Sequence, residues 1–219
     1  MFTSTLHRSV LGNRIVLFGI FFAAACSANA GAELKRVVTA EEADNAKGKI
    51  TQAVKSRDDF PEESLKSINL TGSLRWSAER NGKLLAPVVI RFDGISNSYC
   101  RLVSFDSLNS NATLIKVPVQ ANFDDCKKFH NVHYLDINAD GLLDFVASAA
   151  VKSNAFDGYV DEQVVYLSDI GSDGGYCYSE SASAVLHPEQ MSSRAAIMQA
   201  LAQEKTRMNI SQFLCASES

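Results

Sequence analysis

The stretch Asp136-Ile137-Asn138-Ala139-Asp140-Gly141-Leu142-Leu143-Asp144 constrains this chain most. Oxygen-bearing side chains fall at its positions 1, 3, 5 and 9, and position 6 is glycine. Calcium takes roughly six to eight oxygen ligands in a flexible geometry, and a short loop supplies them when alternate side chains turn inward. Gly141 permits the tight turn that closes such a ring. Asp136, Asn138, Asp140 and Asp144 are the candidate side-chain ligands, and Leu142 would offer its backbone carbonyl. Three carboxylates and an amide, with no thiol or imidazole, select a hard cation, so the expected cofactor is calcium. An EF-hand is excluded, because its position 12 needs a bidentate acid and here carries Ala147. The segment 145–151, which follows, is apolar and rich in small and β-branched residues, the pattern of a buried strand. The loop must therefore join two strands.

Downstream, Val164-Val165-Tyr166-Leu167 reads as a second strand. A Gly/Asp-rich turn follows it over 168–175, and then an aromatic, Tyr176. Loop, apolar strand, second strand, polar turn and aromatic together resemble the FG-GAP and VCBS repeats of integrin-type propellers, over residues 132–180. The resemblance implies a calcium-stabilised blade used for binding. The motif occurs once, and a closed propeller needs roughly four to eight four-stranded blades. The expectation is therefore a single blade-like meander packed on a second sheet, and not a closed propeller.

The rest of the chain fits that frame. Residues 1–30 carry His7, Arg8 and Arg14, then an apolar run over 15–25, then Ala28-Asn29-Ala30, with no acid before Glu33. Basic, apolar and small-residue regions in that order describe a signal peptide. The run is too short to span a bilayer, which needs about 20 apolar residues. Lipid attachment at Cys26 is the alternative use of this leader.

Residues 31–219 read as one β-rich α+β domain. A helical lead occupies 31–70, where Thr39 and Glu42 form a capping box. Ala43, Ala46, Ile50, Ala53 and Val54 then recur at helical spacing, and Leu65 and Ile68 are assigned to a short turn. Strands occupy 71–180, with candidates at 74–79, 84–92, 99–105, 113–119, 132–135, 145–151, 164–167 and 176–178. Asn81-Gly82 signals a tight hairpin between the first two. A helical tail covers 181–219, with Ile197, Ala200, Leu201 and Met208 on one face. The terminal helices should pack on the sheets.

Four cysteines remain beyond the leader: Cys100, Cys126, Cys177 and Cys215. An even count in an exported chain points to two disulfides. Three connectivities are open, and Cys100–Cys126 with Cys177–Cys215 is preferred: the first closes a short loop and the second staples the tail to the sheet. With no Cys-x-x-Cys pair, a zinc ribbon or thioredoxin-type site has no support. His130 and His133 on one strand should face opposite sides.

A formal charge of −4 in 219 residues, 21% of them charged, argues against nucleic acid as a partner. There is no Gly-x-Ser-x-Gly elbow, His-Glu-x-x-His helix or phosphate-cradling loop. The expected function is that of a periplasmic or secreted, non-catalytic calcium-binding protein that recognises another protein or a glycan. An exported inhibitor or immunity protein is the second reading, and a hydrolase with an unrecognised site the third.

Overall fold

The computed structural model describes residues 39–57, 60–61, 64–70, 75–76, 83–107, 109–117 and 125–216. The leader, Cys26, the Asn81-Gly82 turn and Pro118 lie outside these.

Helix α1 (Ala40–Lys55) starts where the sequence says it should. The Thr39 hydroxyl accepts the Glu42 amide, and the Glu42 carboxylate accepts the Thr39 amide. Two otherwise orphaned donors are thereby satisfied. Thr39→Ala should cost about 1 kcal/mol in denaturant titration without changing the number of transitions. Ala46, Ile50 and Val54, four residues apart, form the buried stripe.

The first sheet comprises β1 (Leu65–Leu70), β2 (Arg75–Trp76), β3 (Leu84–Phe92), β4 (Ser98–Phe105) and β5 (Ala112–Leu114). Its order is β1-β3-β4-β5, antiparallel throughout, and β2 pairs with β3 beyond the end of β1. The second sheet is an antiparallel meander of β6 (Cys126–Leu135), β7 (Asp144–Lys152), β8 (Tyr159–Ser168) and β9 (Tyr176–Tyr178). Helix α2 (Glu180–Ala184), a 3-10 turn (Pro188–Ser192) and α3 (Arg194–Met208) follow.

Burial arranges these elements as four layers. Leu85, Val89 and Leu102 of the first sheet meet Phe129, Phe145, Ala147 and Tyr166 of the second in a central core. The outer face of the first sheet, with Val88 and Ile90, takes the α1 stripe. On the outer face of the second sheet, Val146 and Val165 pack against Ile197, Ala200, Leu201 and Phe213. Strands β3 and β7 are thus covered on both faces. This is why they read as nearly continuous apolar runs rather than alternating ones. The fold is α+β and mainly β, with two open antiparallel sheets and, among the described residues, no closed barrel or propeller, as expected.

Some expectations fail in detail. Residues 65–70 are a strand, not the end of a helical lead: Ile68 pairs with Ile90 and Leu70 with Val88. The ladder slips between Leu65 and Ser67, which breaks the period of two that would have marked a strand. The strand expected at 113–119 is shorter among the described residues, ending at Leu114. The tail is not continuously helical. It divides into α2, the 3-10 turn and α3, and α3 stops where Asn209 adopts a left-handed cap at φ 53°. Beyond Asn209, the described residues of the tail run without helix back along the second sheet.

Both disulfides form as preferred. Cys100 of β4 joins Cys126 of β6 across the central core, and Cys177 of β9 joins Cys215 of the tail. The Cα separations are 5.4 and 5.5 Å, within the usual span for a disulfide.

Candidate functional site

The loop 136–143 links β6 to β7 and is folded by its own carboxylates. Asp136 Oδ1 accepts the Asp140 amide at 3.1 Å and Oδ2 the Gly141 amide at 2.9 Å. Asp140 Oδ1 accepts the Leu142 amide at 2.8 Å. Such side-chain turns offer the backbone an alternative to the sheet ladder. Ala139 and Gly141 sit in the left-handed region, at φ 58° and 82°. Only Gly141 does so without a Cβ penalty.

Asp144 differs from the other two acids. It is the first residue of β7, opposite Leu135, and is 1% exposed. Its Oδ2 accepts the Ile137 amide and its Oδ1 the Ser168 amide, each at 2.8 Å. It therefore latches the start of the loop to the end of β8. Burial pushes its pKa up to about 7; the two amide donors oppose this, and the charges of Asp140 and Asp136 add to it. Among the described residues, none of these three acids makes an ion pair.

The other two predicted ligands are placed differently. Asn138 turns to the tail: its Nδ2 donates to the Phe213 carbonyl at 3.3 Å and its Oδ1 accepts the Phe213 amide at 3.2 Å. An amide oxygen has two lone pairs, so Oδ1 keeps one for a further partner. Leu142 is half-buried and contributes its amide to Asp140. Two residues outside the motif also hold the loop. Lys205 of α3 donates to the Ile137 carbonyl at 2.7 Å, and the Tyr176 hydroxyl donates to the Leu143 carbonyl at 3.1 Å. No local sequence pattern marks Lys205; Tyr176 is the aromatic that closes the repeat-like pattern, but its hydroxyl meets the loop only through tertiary packing.

The three loop carboxylates do not crowd around one point. Among the described residues, the one trio of acidic, thiol or imidazole groups whose ligand atoms all lie within 4.8 Å of one another is Asp169, Cys177 and Cys215. Its two sulfurs are bonded to each other, so they present no thiolate and the trio is no metal centre. Asp169 instead folds its own turn by accepting the Gly171 amide at 3.0 Å.

The expectation that His130 and His133 face opposite sides is overturned. The ladder shifts between them, where Asn131 takes φ 49°, and they end opposite Ser148 and Val146, two residues apart on β7. They still serve separate partners: His130 Nε2 lies 3.1 Å from Asp161, and His133 Nε2 lies 3.1 Å from the Met191 carbonyl oxygen.

A calcium ion fits the loop on charge and donor type. Asp136, Asp140 and Asp144 make no ion pair among the described residues, and the buried Asp144 carboxyl is met by two backbone amides alone. Bringing them onto one ion requires the loop carboxylates to converge further than they do here. No protein-family model, curated protein or solved structure matches the chain.

Proposed function

We propose that this chain is an exported binding protein whose second sheet is stabilised by one calcium ion in the loop 136–144. The observation that carries the reading is Asp144, a buried acid flanked by Asp136 and Asp140, none of the three making an ion pair among the described residues. Its ligands are the Asp136, Asp140 and Asp144 carboxylates, the Leu142 carbonyl and the remaining lone pair of Asn138 Oδ1. The calcium is structural. It fixes the β6–β7 connection and, through Asn138, the tail at Phe213.

The loop leads directly into the β7–β8–β9 meander, which supports the likeness to an FG-GAP or VCBS blade. By that likeness the role is recognition of a protein or a glycan. Two disulfides indicate an oxidising setting outside the cytoplasm, and among the described residues no helix is long and apolar enough to cross a membrane. With a leader over residues 1–30, the proposed location is the periplasm or the extracellular medium.

Calcium at a hundredfold excess over its dissociation constant should add about 2.7 kcal/mol, by binding the folded loop and not the unfolded chain. For a chain of this size that corresponds to a rise of roughly 5–10 °C in melting temperature. Asp140→Ala should abolish most of that rise, because Asp140 is exposed and its loss leaves the core intact. A melting temperature indifferent to EDTA, together with no calcium heat in titration calorimetry, would sink the proposal.

A further inference from the structure

We infer that the groove between α1 and β1 of the first sheet binds an acidic saccharide. Its volume is about 410 Å³, within the usual range for small-ligand sites of roughly 300–1,000 Å³. One wall is the helix stripe Lys47, Thr51 and Lys55, spaced four residues apart and therefore on one face. The other is Ser64, Lys66 and Ser67 of the β1 segment.

Lys66 stands at a bulge. The ladder passes from Leu65–Phe92 directly to Ser67–Arg91 and leaves Lys66 as the extra residue. A bulge re-aims a side chain, and here it brings a third ammonium to the groove. Lys47 shares Asp44 at 3.3 Å, whereas Lys55 and Lys66 make no ion pair among the described residues. The three ammoniums that line the groove are the groups that would meet an anionic ligand.

The groove's remaining chemistry narrows the anion. Three hydroxyls accompany the three ammoniums. The Thr51 hydroxyl donates to the Lys47 carbonyl at 2.9 Å, which commits its proton and leaves its oxygen as an acceptor. Half-buried Leu65 adds an apolar surface. Carboxylates, ring hydroxyls and a C–H face occur together in a uronic-acid saccharide. Among the described residues no aromatic side chain lines the groove, so these residues offer no stacking platform of the kind a single-stranded nucleic acid would use. An acidic peptide adding a strand to β1 is the less suitable occupant, because a short, bulged edge is a poor pairing template.

The inference deepens the binding reading above and rests on it, but not on calcium. The test is an NMR titration of the oxidised protein with trigalacturonic acid, in calcium and in EDTA. Neutral galactotriose, inorganic phosphate and hexaglutamate serve as comparisons. Trigalacturonic acid should move the amides of residues 47–55 and 64–68, and binding should weaken as salt is raised. Lys55→Glu and Lys66→Glu should each lower affinity roughly tenfold or more. Both lysines are exposed, so an unchanged melting temperature verifies that the variants fold. Binding that persists in EDTA supports the groove whatever becomes of the calcium loop. Equal affinity for galactotriose, full displacement by equimolar phosphate, tighter binding of hexaglutamate, or unchanged affinity in both lysine variants would each overturn the assignment.

Discussion

Reduction of both disulfides is expected to destabilise the domain by about 7 kcal/mol and to leave it largely unfolded at 37 °C. Cys100 and Cys126 are separated by 26 residues, and Cys177 and Cys215 by 38. The loop-closure entropy these bridges remove from the unfolded chain corresponds to about 3.5 and about 4 kcal/mol. A domain of this kind has only about 5–15 kcal/mol in total. The two bridges differ in access. Cys100 and Cys126 are both 0% exposed in the central core, whereas Cys215 is exposed on the tail. Mild reductant should therefore open Cys177–Cys215 first, releasing the tail while both sheets stay folded. Mass analysis after alkylation gives the order, and guanidinium titration of Cys177→Ala/Cys215→Ala and Cys100→Ala/Cys126→Ala gives the magnitudes. A fully reduced protein with an unshifted denaturation midpoint would refute this account.

The parts legible in the sequence are those encoded over a few neighbouring residues. The Thr39–Glu42 box set the start of α1. The apolar runs of β3 and β7 announced strands because both of their faces are covered. The Gly141 turn ahead of the apolar run 145–151 marked 136–143 as a connection between strands. What escaped depends on partners distant in the chain. Strand β1 was hidden because the bulge at Lys66 interrupts its alternation, and only its pairing with β3 makes it a strand. The N-terminal half of β6, Lys127-Lys128-Phe129-His130, is polar enough to pass for a loop; it is a strand because β7 pairs with it. Asn138 shows the same limit at the site. Its spacing marks it as a ligand, yet both its polar atoms meet Phe213, 75 residues away. Helix α2, with Ser179 capping the short run Glu180–Ala184, has no hydrophobic period of its own. It is positioned when Ser183 Oγ accepts the Val165 amide at 2.9 Å.

In calcium-free buffer, stability should fall as pH rises from about 4 to about 7. Asp144 has a pKa of about 7 in the fold against 3.8 for the free side chain, with burial the leading cause. Between those values the folded protein holds a proton that the unfolded chain has released. Unfolding then releases a proton, and raising the pH favours the unfolded side. The contribution is fully present below pH 4 and lost as pH passes 7, and its whole span is about 4 kcal/mol. Half-buried Glu162, also raised by burial, acts in the same direction, so the wild-type profile alone does not isolate Asp144. The difference in slope between wild type and Asp144→Asn does, since the amide does not titrate; its NH2 cannot accept the backbone amide that one carboxyl oxygen takes, which offsets the variant by an amount independent of pH. Calcium should reverse the behaviour. A divalent ion favours ionised Asp144, so its affinity should rise with pH up to about 7 and its binding should release a proton near pH 6. Urea titrations at pH 4, 5, 6 and 7, in EDTA and in calcium, measure both effects. A wild-type profile in EDTA that runs parallel to that of Asp144→Asn would show that Asp144 is ionised in the fold throughout this range. Its two amide donors would then outweigh burial, and the loop would bind calcium without this dependence on pH.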